Sequence, residues 1–127
     1  MEEQDRTDSY VFDFERLDVY QKAIRLVSTL YRLTKPLPNE YQFSVGDQLR
    51  RAGLSVANNI AEGSGKLSKK EKAHFYRTAL NSTRECIPML TVLRNEQQVT
   101  LSTHRETRSE LLHVANMLGR LISSISR

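Results

Sequence analysis

Apolar residues recur at three- and four-residue steps along four successive stretches of the chain, and no stretch alternates apolar and polar residues over the length of a strand. Residues at these steps lie on one face of an α-helix, which is buried when helices pack together. The joins between the stretches are short, so neighbouring helices are expected to run in opposite directions. The sequence therefore predicts an all-α fold, an antiparallel up-down four-helix bundle at residues 16–127, preceded by an acidic N-terminal arm at residues 1–15.

Capping residues predict where the helices begin and end. The second helix is expected to begin at Ser44 and to end at Gly63 in a left-handed cap. The segments SKKE (68–71) and THRE (103–106) match capping boxes that would start the third and fourth helices. Pro88 lies inside the third helical pattern and predicts a kink there, because proline removes a backbone hydrogen bond.

The stretch AEGSGKLSKKE (61–71) raises the question of a nucleotide-binding loop. Such a loop needs the pattern G-x-x-x-x-G-K-[ST] between a strand and a helix. If Gly65 and Lys66 supply the G-K pair, Ile60 stands in place of the first glycine and Leu67 in place of the hydroxyl residue. Because the preceding stretch also has a helical period, the sequence predicts an inter-helix corner at residues 63–67 and no nucleotide site.

Residues typical of catalytic and metal sites are scarce. The three histidines show no pairing at four-residue spacing, and His104 and His113 are expected at the surface or its edge. Cys86, the single cysteine, is expected to pack as a small apolar residue. The chain has no apolar run of the ~20 residues that a membrane span needs, and its start does not resemble a signal peptide. We therefore expect a cytoplasmic protein that is not an enzyme and uses no metal or cofactor.

The net charge of +4 hides two regions of opposite charge. Residues 1–18 carry seven acids and two bases, whereas residues 48–84 carry eight bases and two acids. The basic region favours an acidic partner such as RNA or DNA, although charged runs are also common on solvated helix faces. The residues expected to contact phosphates are Arg50, Arg51, Lys66, Lys69, Lys70, Arg77 and Arg84.

Some apolar residues lie outside the predicted core faces. Leu54, Ala57 and Ala61 fall opposite the core face of the second helix when residues are placed at 100° per step. The first helix is also apolar over more than half its circumference, with a predicted core stripe of Tyr20, Ala23, Ile24, Val27, Leu30 and Tyr31 and further apolar residues at Val19, Leu26 and Leu33. Excess apolar surface favours a protein–protein contact, although single exposed aliphatic residues are common in monomers. We expect a homo-oligomer with Leu54, Ala57 and Ala61 in its interface.

Two segments, LDVYQKA (17–23) and LRRAGLSVANNIAEGSGKLSKKEKAHFYRTALNSTRE (49–85), resemble a bacterial family of four-helix bundles. Its members include proteins encoded within 23S rRNA intervening sequences, and the resemblance covers roughly residues 14–125. The chain departs from the family pattern at Tyr20, Ala57, Asn81 and Pro88. The matching positions are Arg50, Arg51, Ser55, Asn59, Glu62, Gly63, Gly65, Ser68 and Glu71.

The resemblance implies a ring-like homopentamer, and it implies no established activity for most members. A more distant relative, the accessory protein of diversity-generating retroelements, resembles a nucleic-acid-binding partner of a reverse transcriptase. Asn59 and Glu62 are expected to hydrogen-bond the corner and the start of the third helix rather than a ligand. Two function classes remain: an RNA-binding accessory protein, or an assembly module whose partner is itself or another protein.

Overall fold

A computed structural model describes residues 9–126, and its long helices form the bundle that the sequence predicts. They are α1 (Asp18–Thr34), α2 (Asp47–Ser64), α3 (Lys69–Asn95) and α4 (Leu101–Ser126). A short 3-10 helix (Asp13–Arg16) precedes α1, and an α-helical turn (Asn39–Tyr41) and a π-helical turn (Gln42–Gly46) precede α2. Residues 1–8 of the predicted acidic arm lie outside the described residues. No helix within residues 9–126 combines the length and apolar character that crossing a membrane requires.

Each helix packs against the next helix in the chain, and α4 packs back against α1 around one core. Every helix contributes fully buried leucines, among them Leu26, Leu49, Leu90 and Leu111. Burying such a side chain contributes about 1.5–3 kcal/mol, so the core stabilises all four helices together. In this ring of helices, the groove between α1 and α2 and the groove between α3 and α4 lie on opposite sides of the bundle.

The core face of α1 is rotated from the predicted one. Val19, Leu26 and Leu33, expected beside the core stripe, are buried. Ile24 and Tyr31, expected in the stripe, are 42% and 44% exposed. The apolar arc of α1 is wider than its buried face, so periodicity alone does not show which part of the arc points inward.

The predicted start of α2 at Ser44 is wrong. The Ser44 hydroxyl donates to the carbonyl of Glu40 at 2.7 Å, inside helical turns that continue from Asn39 to Ser64. A serine hydroxyl that bonds back to the fourth preceding carbonyl does not cap a helix start. The chain therefore enters helical structure directly after Pro38.

The start of α4 also differs from the predicted one. The Thr100 hydroxyl accepts the backbone N–H of Thr103 at 3.0 Å, so α4 begins before the predicted capping box. Glu106 accepts a hydrogen bond from the Ser102 hydroxyl at 3.3 Å instead of capping the helix. α3 is assigned as one continuous helix through Pro88.

Candidate nucleic-acid interface

The corner between α2 and α3 is held by helix-capping contacts. The Ser68 hydroxyl accepts the backbone N–H of Glu71 at 3.1 Å, which confirms the predicted start of α3. The backbone N–H of Gly65 donates to the carbonyl of Glu62 at 3.2 Å, and the Lys72 ammonium donates to the carbonyl of Ser64 at 2.9 Å. These bonds satisfy the free groups at both helix ends, as an inter-helix corner requires.

Gly63 is not a left-handed cap. It lies in the last turn of α2, and no described glycine has a positive φ. A Cβ at this position would lie 2.8 Å from Cε1 of Tyr76, closer than side chains normally pack. Glycine is therefore required here by the close packing of α2 on α3.

Asn59 does not hydrogen-bond the corner, contrary to the prediction, and the Glu62 side chain contacts it only through an ion pair with Lys66. The Asn59 amide donates to the carbonyl and hydroxyl of Ser55 at 2.8 and 3.1 Å, and the Ser55 hydroxyl is 2.8 Å from that of Ser82 on α3. The Glu62 carboxylate is exposed and lies 3.7 Å from the Lys66 ammonium. Asn59 therefore belongs to a polar link between α2 and α3, whereas Glu62 forms a surface ion pair.

The predicted phosphate-binding residues on α2 are engaged in contacts within the chain. Arg50 donates to the side-chain and backbone oxygens of Gln42 at 2.6 and 3.0 Å. The Gln42 amide in turn donates to the carbonyl of Thr34 at 2.9 Å, so both residues cap the end of α1. Arg51 lies 3.0 Å from the carboxylate of Asp47. Arg50 and Arg51 therefore already have polar partners within their own chain.

The cations at the corner differ in whether they have a partner within the chain. Lys66 pairs with Glu62 and also lies 5.1 Å from the centre of the Phe75 ring. Lys69 and Lys70 are exposed in the first turn of α3. The corner therefore leaves Lys69 and Lys70 open to an acidic partner.

Three exposed cations form a line along α3. Lys70, Arg77 and Arg84 are seven residues apart, so each is rotated by only about 20° from the one before it. Arg84 also shares a cleft with Arg108 of α4, which is exposed as well. We call Lys70, Arg77, Arg84 and Arg108 the basic face. Within residues 9–126, none of these four cations forms an ion pair with a carboxylate.

The cleft that Arg84 and Arg108 share has a volume of about 150 Å³. Its remaining walls are mainly apolar, and no carboxylate lines it. Arg108 lies outside the basic region that the sequence predicts, which covers residues 48–84. Arg105 and Arg108 stand three residues apart on α4, and that spacing was the available signal. The lining residues are Thr83, Arg84, Ile87, Arg108, Leu111, Leu112 and Ala115.

The carboxylates of α3 and α4 lie away from the basic face. Glu71 and Glu85 follow Lys70 and Arg84 directly, which rotates them about 100° around α3. On α4, Glu110 accepts a hydrogen bond from the Thr29 hydroxyl of α1 at 3.1 Å, so it points towards the opposite neighbour. The carboxylates and the cations of the basic face therefore lie on different sides of α3 and α4.

Cys86 and His104 are buried between the helices. Burial raises the pKa of the Cys86 thiol to about 12, with a smaller contribution from Glu85, as expected for a packed cysteine. His104 is buried rather than at the surface, and burial followed by the charges of Arg94 and Arg108 lowers its pKa. In the part of the chain that the structure describes, no group of three or more His, Cys, Asp or Glu residues is placed to hold a metal ion.

The residues predicted for an oligomer interface divide into two groups. Leu54 is 40% exposed and Ala61 is half-buried, but Ala57 is only 4% exposed and belongs to the core. Ala57 is unavailable to a partner because its position is rotated about 60° from Leu54, towards α1. A Cβ at Gly53 of α2 would meet Leu30 and Val27 of α1, which places these residues at the α1–α2 contact. At 100° per residue, Ile24, Tyr31 and Leu54 lie on the solvent side of this contact, and we call these three exposed residues the apolar face.

Comparison with known proteins identifies the family. The family model described as 23S rRNA-intervening sequence protein matches residues 15–120. A crystal structure of a protein with unknown function from the S23 ribosomal protein family of Bacteroides thetaiotaomicron shares the fold, with a TM-score of 0.77 and 23% sequence identity over 83% of this chain and 95% of that chain. No curated protein matches the chain in sequence. Since the family model spans most of its length, the chain belongs to the 23S rRNA-intervening sequence protein family.

Proposed function

We propose that the protein is a non-enzymatic, RNA-binding accessory protein that holds phosphates on its basic face. The observation that carries the proposal is the set of four exposed cations around the α3–α4 groove, Lys70, Arg77, Arg84 and Arg108, with no carboxylate lining the cleft. Such an array binds a polyanion because it displaces the counterions condensed on the phosphates. The family description links these proteins to 23S rRNA through an intervening sequence, and we take RNA as the polyanion to be tested.

The spacing of the cations on α3 suits a repeating polyanion. Lys70 and Arg84 are 14 residues apart, which corresponds to about 21 Å along a helix with a rise of ~1.5 Å per residue. One strand of a nucleic-acid duplex carries about six phosphates over that distance, at roughly 3.4 Å each. Phosphate contacts position a protein without reading sequence, so we expect little sequence preference from these residues.

A second candidate function is self-assembly through the apolar face. Ile24, Tyr31 and Leu54 are between 40% and 44% exposed around one groove, which is a typical feature of a protein contact. This groove is on the opposite side of the bundle from the basic face, so assembly there leaves the basic face in solvent. A ring such as the pentamer that the family resemblance implies would repeat the basic face and increase the avidity for RNA.

Charge reversal on the basic face tests RNA binding. The variant Arg77→Glu, Arg84→Glu is expected to bind a short RNA at least about tenfold more weakly at low salt, because two phosphate contacts become repulsive. Fluorescence anisotropy measures the affinity, and circular dichroism checks that the helices are retained. The matched control is Arg51→Glu, which reverses an exposed arginine that is already paired with Asp47 on α2. Equal losses in both variants would contradict the proposed location, and a wild-type protein that binds no RNA would contradict the function.

Light scattering tests self-assembly. Leu54→Glu is expected to shift the mass towards that of the 14.6 kDa protomer, because it places a charge in an apolar contact. Lys70→Glu, on the basic face, is the control and is expected to leave the mass unchanged. A wild-type protein that is already a monomer at micromolar concentration would remove self-assembly as a function.

A further inference from the structure

We propose that the cleft between Arg84 and Arg108 receives an unpaired nucleobase, so that the basic face prefers single-stranded RNA to fully paired RNA. The inference rests on the proposed RNA binding and adds a base contact to the phosphate contacts. The base would enter the cleft, whereas the phosphates would bind along the whole of the basic face.

The cleft has the size and lining that suit one flat ring. Its volume of about 150 Å³ equals that of an apolar cavity of roughly 150 Å³ known to accept benzene, and it is smaller than the ~300 Å³ or more of pockets for larger ligands. Leu111 is buried at its base, Ile87 is half-buried in the α3 wall, and Leu112 is 55% exposed in the α4 wall. A base entering the cleft would therefore cover Leu112, a large apolar side chain that is now exposed.

The two arginines supply the interactions that a nucleotide requires. A guanidinium group stacks on flat rings and donates hydrogen bonds to phosphate oxygens. Arg84 and Arg108 can therefore stack on the base, bind its phosphate, or do both. Unpaired RNA bases are commonly bound by stacking on such planar groups. The Thr83 hydroxyl, also in the lining, donates to the carbonyl of Ala79 at 2.8 Å within α3. Because the Thr83 hydroxyl already donates its hydrogen within α3, it is not expected to select among bases. The cleft is therefore expected to hold a base mainly by stacking, with weak preference among bases.

An aromatic side chain of an acidic peptide is the main competing occupant. The arrangement beyond the cleft favours RNA, because Arg77 and Lys70 continue from Arg84 in two steps of about 10.5 Å, and the carboxylates of α3, Glu71 and Glu85, are rotated away from this line. A nucleic-acid strand brings a phosphate to every nucleotide along this line. A peptide would need acidic residues at matching positions over the same distance.

An abasic oligonucleotide separates base binding from phosphate binding. A short single-stranded RNA and an abasic strand of equal length carry the same charge, but only the RNA has bases. We expect the wild-type protein to bind the RNA on the order of tenfold more tightly, since stacking a base contributes measurable affinity. We also expect the RNA to bind more tightly than a duplex with the same number of phosphates.

Leu112→Ser is the informative variant, and Val92→Ser is its matched control. Both substitutions replace an exposed apolar residue with serine, but only Leu112 lines the cleft. Leu112→Ser is expected to reduce the difference between RNA and abasic strand while leaving abasic binding unchanged, and Val92→Ser is expected to change neither affinity. If RNA and abasic strand bind equally well, the base contact is wrong although RNA binding stands. If neither strand binds, the proposed function itself fails. Displacement of bound RNA by an acidic, phenylalanine-containing peptide but not by its alanine counterpart would instead assign the cleft to a peptide.

Discussion

Gly63 and Gly119 form a natural pair for testing how closely α2 packs on α3. Both glycines lie in helices, so replacement by alanine is expected to add up to about 1 kcal/mol of helix propensity in each case. A Cβ at Gly119 would meet no atom within 4 Å. A Cβ at Gly63 would lie 2.8 and 3.0 Å from two ring atoms of Tyr76 and 3.1 Å from Cβ of Phe75.

The two substitutions should therefore have different effects on stability. Tyr76 is only 3% exposed, so its ring cannot move away without disturbing the core. Forcing an extra methyl group into such a contact costs about 1–3 kcal/mol. Gly119→Ala is expected to stabilise the protein by up to about 1 kcal/mol, and Gly63→Ala is expected to be neutral or to destabilise it by up to about 2 kcal/mol. Gly63 lies in the last turn of α2, where the propensity gain is no larger than at Gly119, so the difference between the variants gives an upper limit on the packing cost at Gly63.

Thermal unfolding followed by circular dichroism measures this difference. For a chain of this length, each 1 kcal/mol corresponds to a shift of about 4 °C in Tm. Both variants must be compared at the same protein concentration, because assembly would make Tm depend on concentration. If Gly63→Ala raises Tm as much as Gly119→Ala does, the close contact between Gly63 and Tyr76 is wrong.

Three other side chains give independent tests of stability. Glu62→Ala is expected to change the free energy of unfolding by less than about 1 kcal/mol, because the exposed ion pair with Lys66 is its side-chain contact; a larger loss in urea unfolding would restore a structural role for Glu62. Gln42→Ala is expected to cost about 1–3 kcal/mol in the same assay, because the end of α1 loses its capping amide, and an unchanged midpoint would contradict that cap. The lowered pKa of His104 means that the unfolded chain takes up a proton at higher pH than the folded protein, so stability should fall as pH drops below about 6.5 and towards the folded pKa. His104→Gln should reduce this pH dependence and His113→Gln should keep it, and the reverse result would refute the assignment.

Helix number and fold class could be predicted from the sequence because they depend on periodicity over many residues. The inward face of α1 could not, since Ile24 and Tyr31 belong to the same wide apolar arc as Leu26 and Leu33. Only the positions of the neighbouring helices decide which part of that arc is buried. The role of Ser44 could not be predicted either, because a serine can cap a helix or bond back within one.

The candidate site was only partly predictable. Lys70, Arg77 and Arg84 share a face through their spacing in one helix, which the sequence contains. The contacts of Arg50 with Gln42 depend on how the chain leaves α1, and charge counting does not detect them. Arg108 is 24 residues from Arg84 in the chain but shares its cleft, because α3 and α4 pack side by side.

The salt dependence of RNA affinity tests the central claim most directly. If Lys70, Arg77, Arg84 and Arg108 each neutralise a phosphate, the logarithm of the binding constant should fall with the logarithm of salt concentration at a slope of roughly −3 or steeper. Arg84→Gln should make the slope less steep by roughly 0.7–0.9, while Arg51→Gln should leave it unchanged. A wild-type protein that binds no RNA at low salt, or a slope that Arg51→Gln changes as much as Arg84→Gln does, would contradict RNA binding through the basic face.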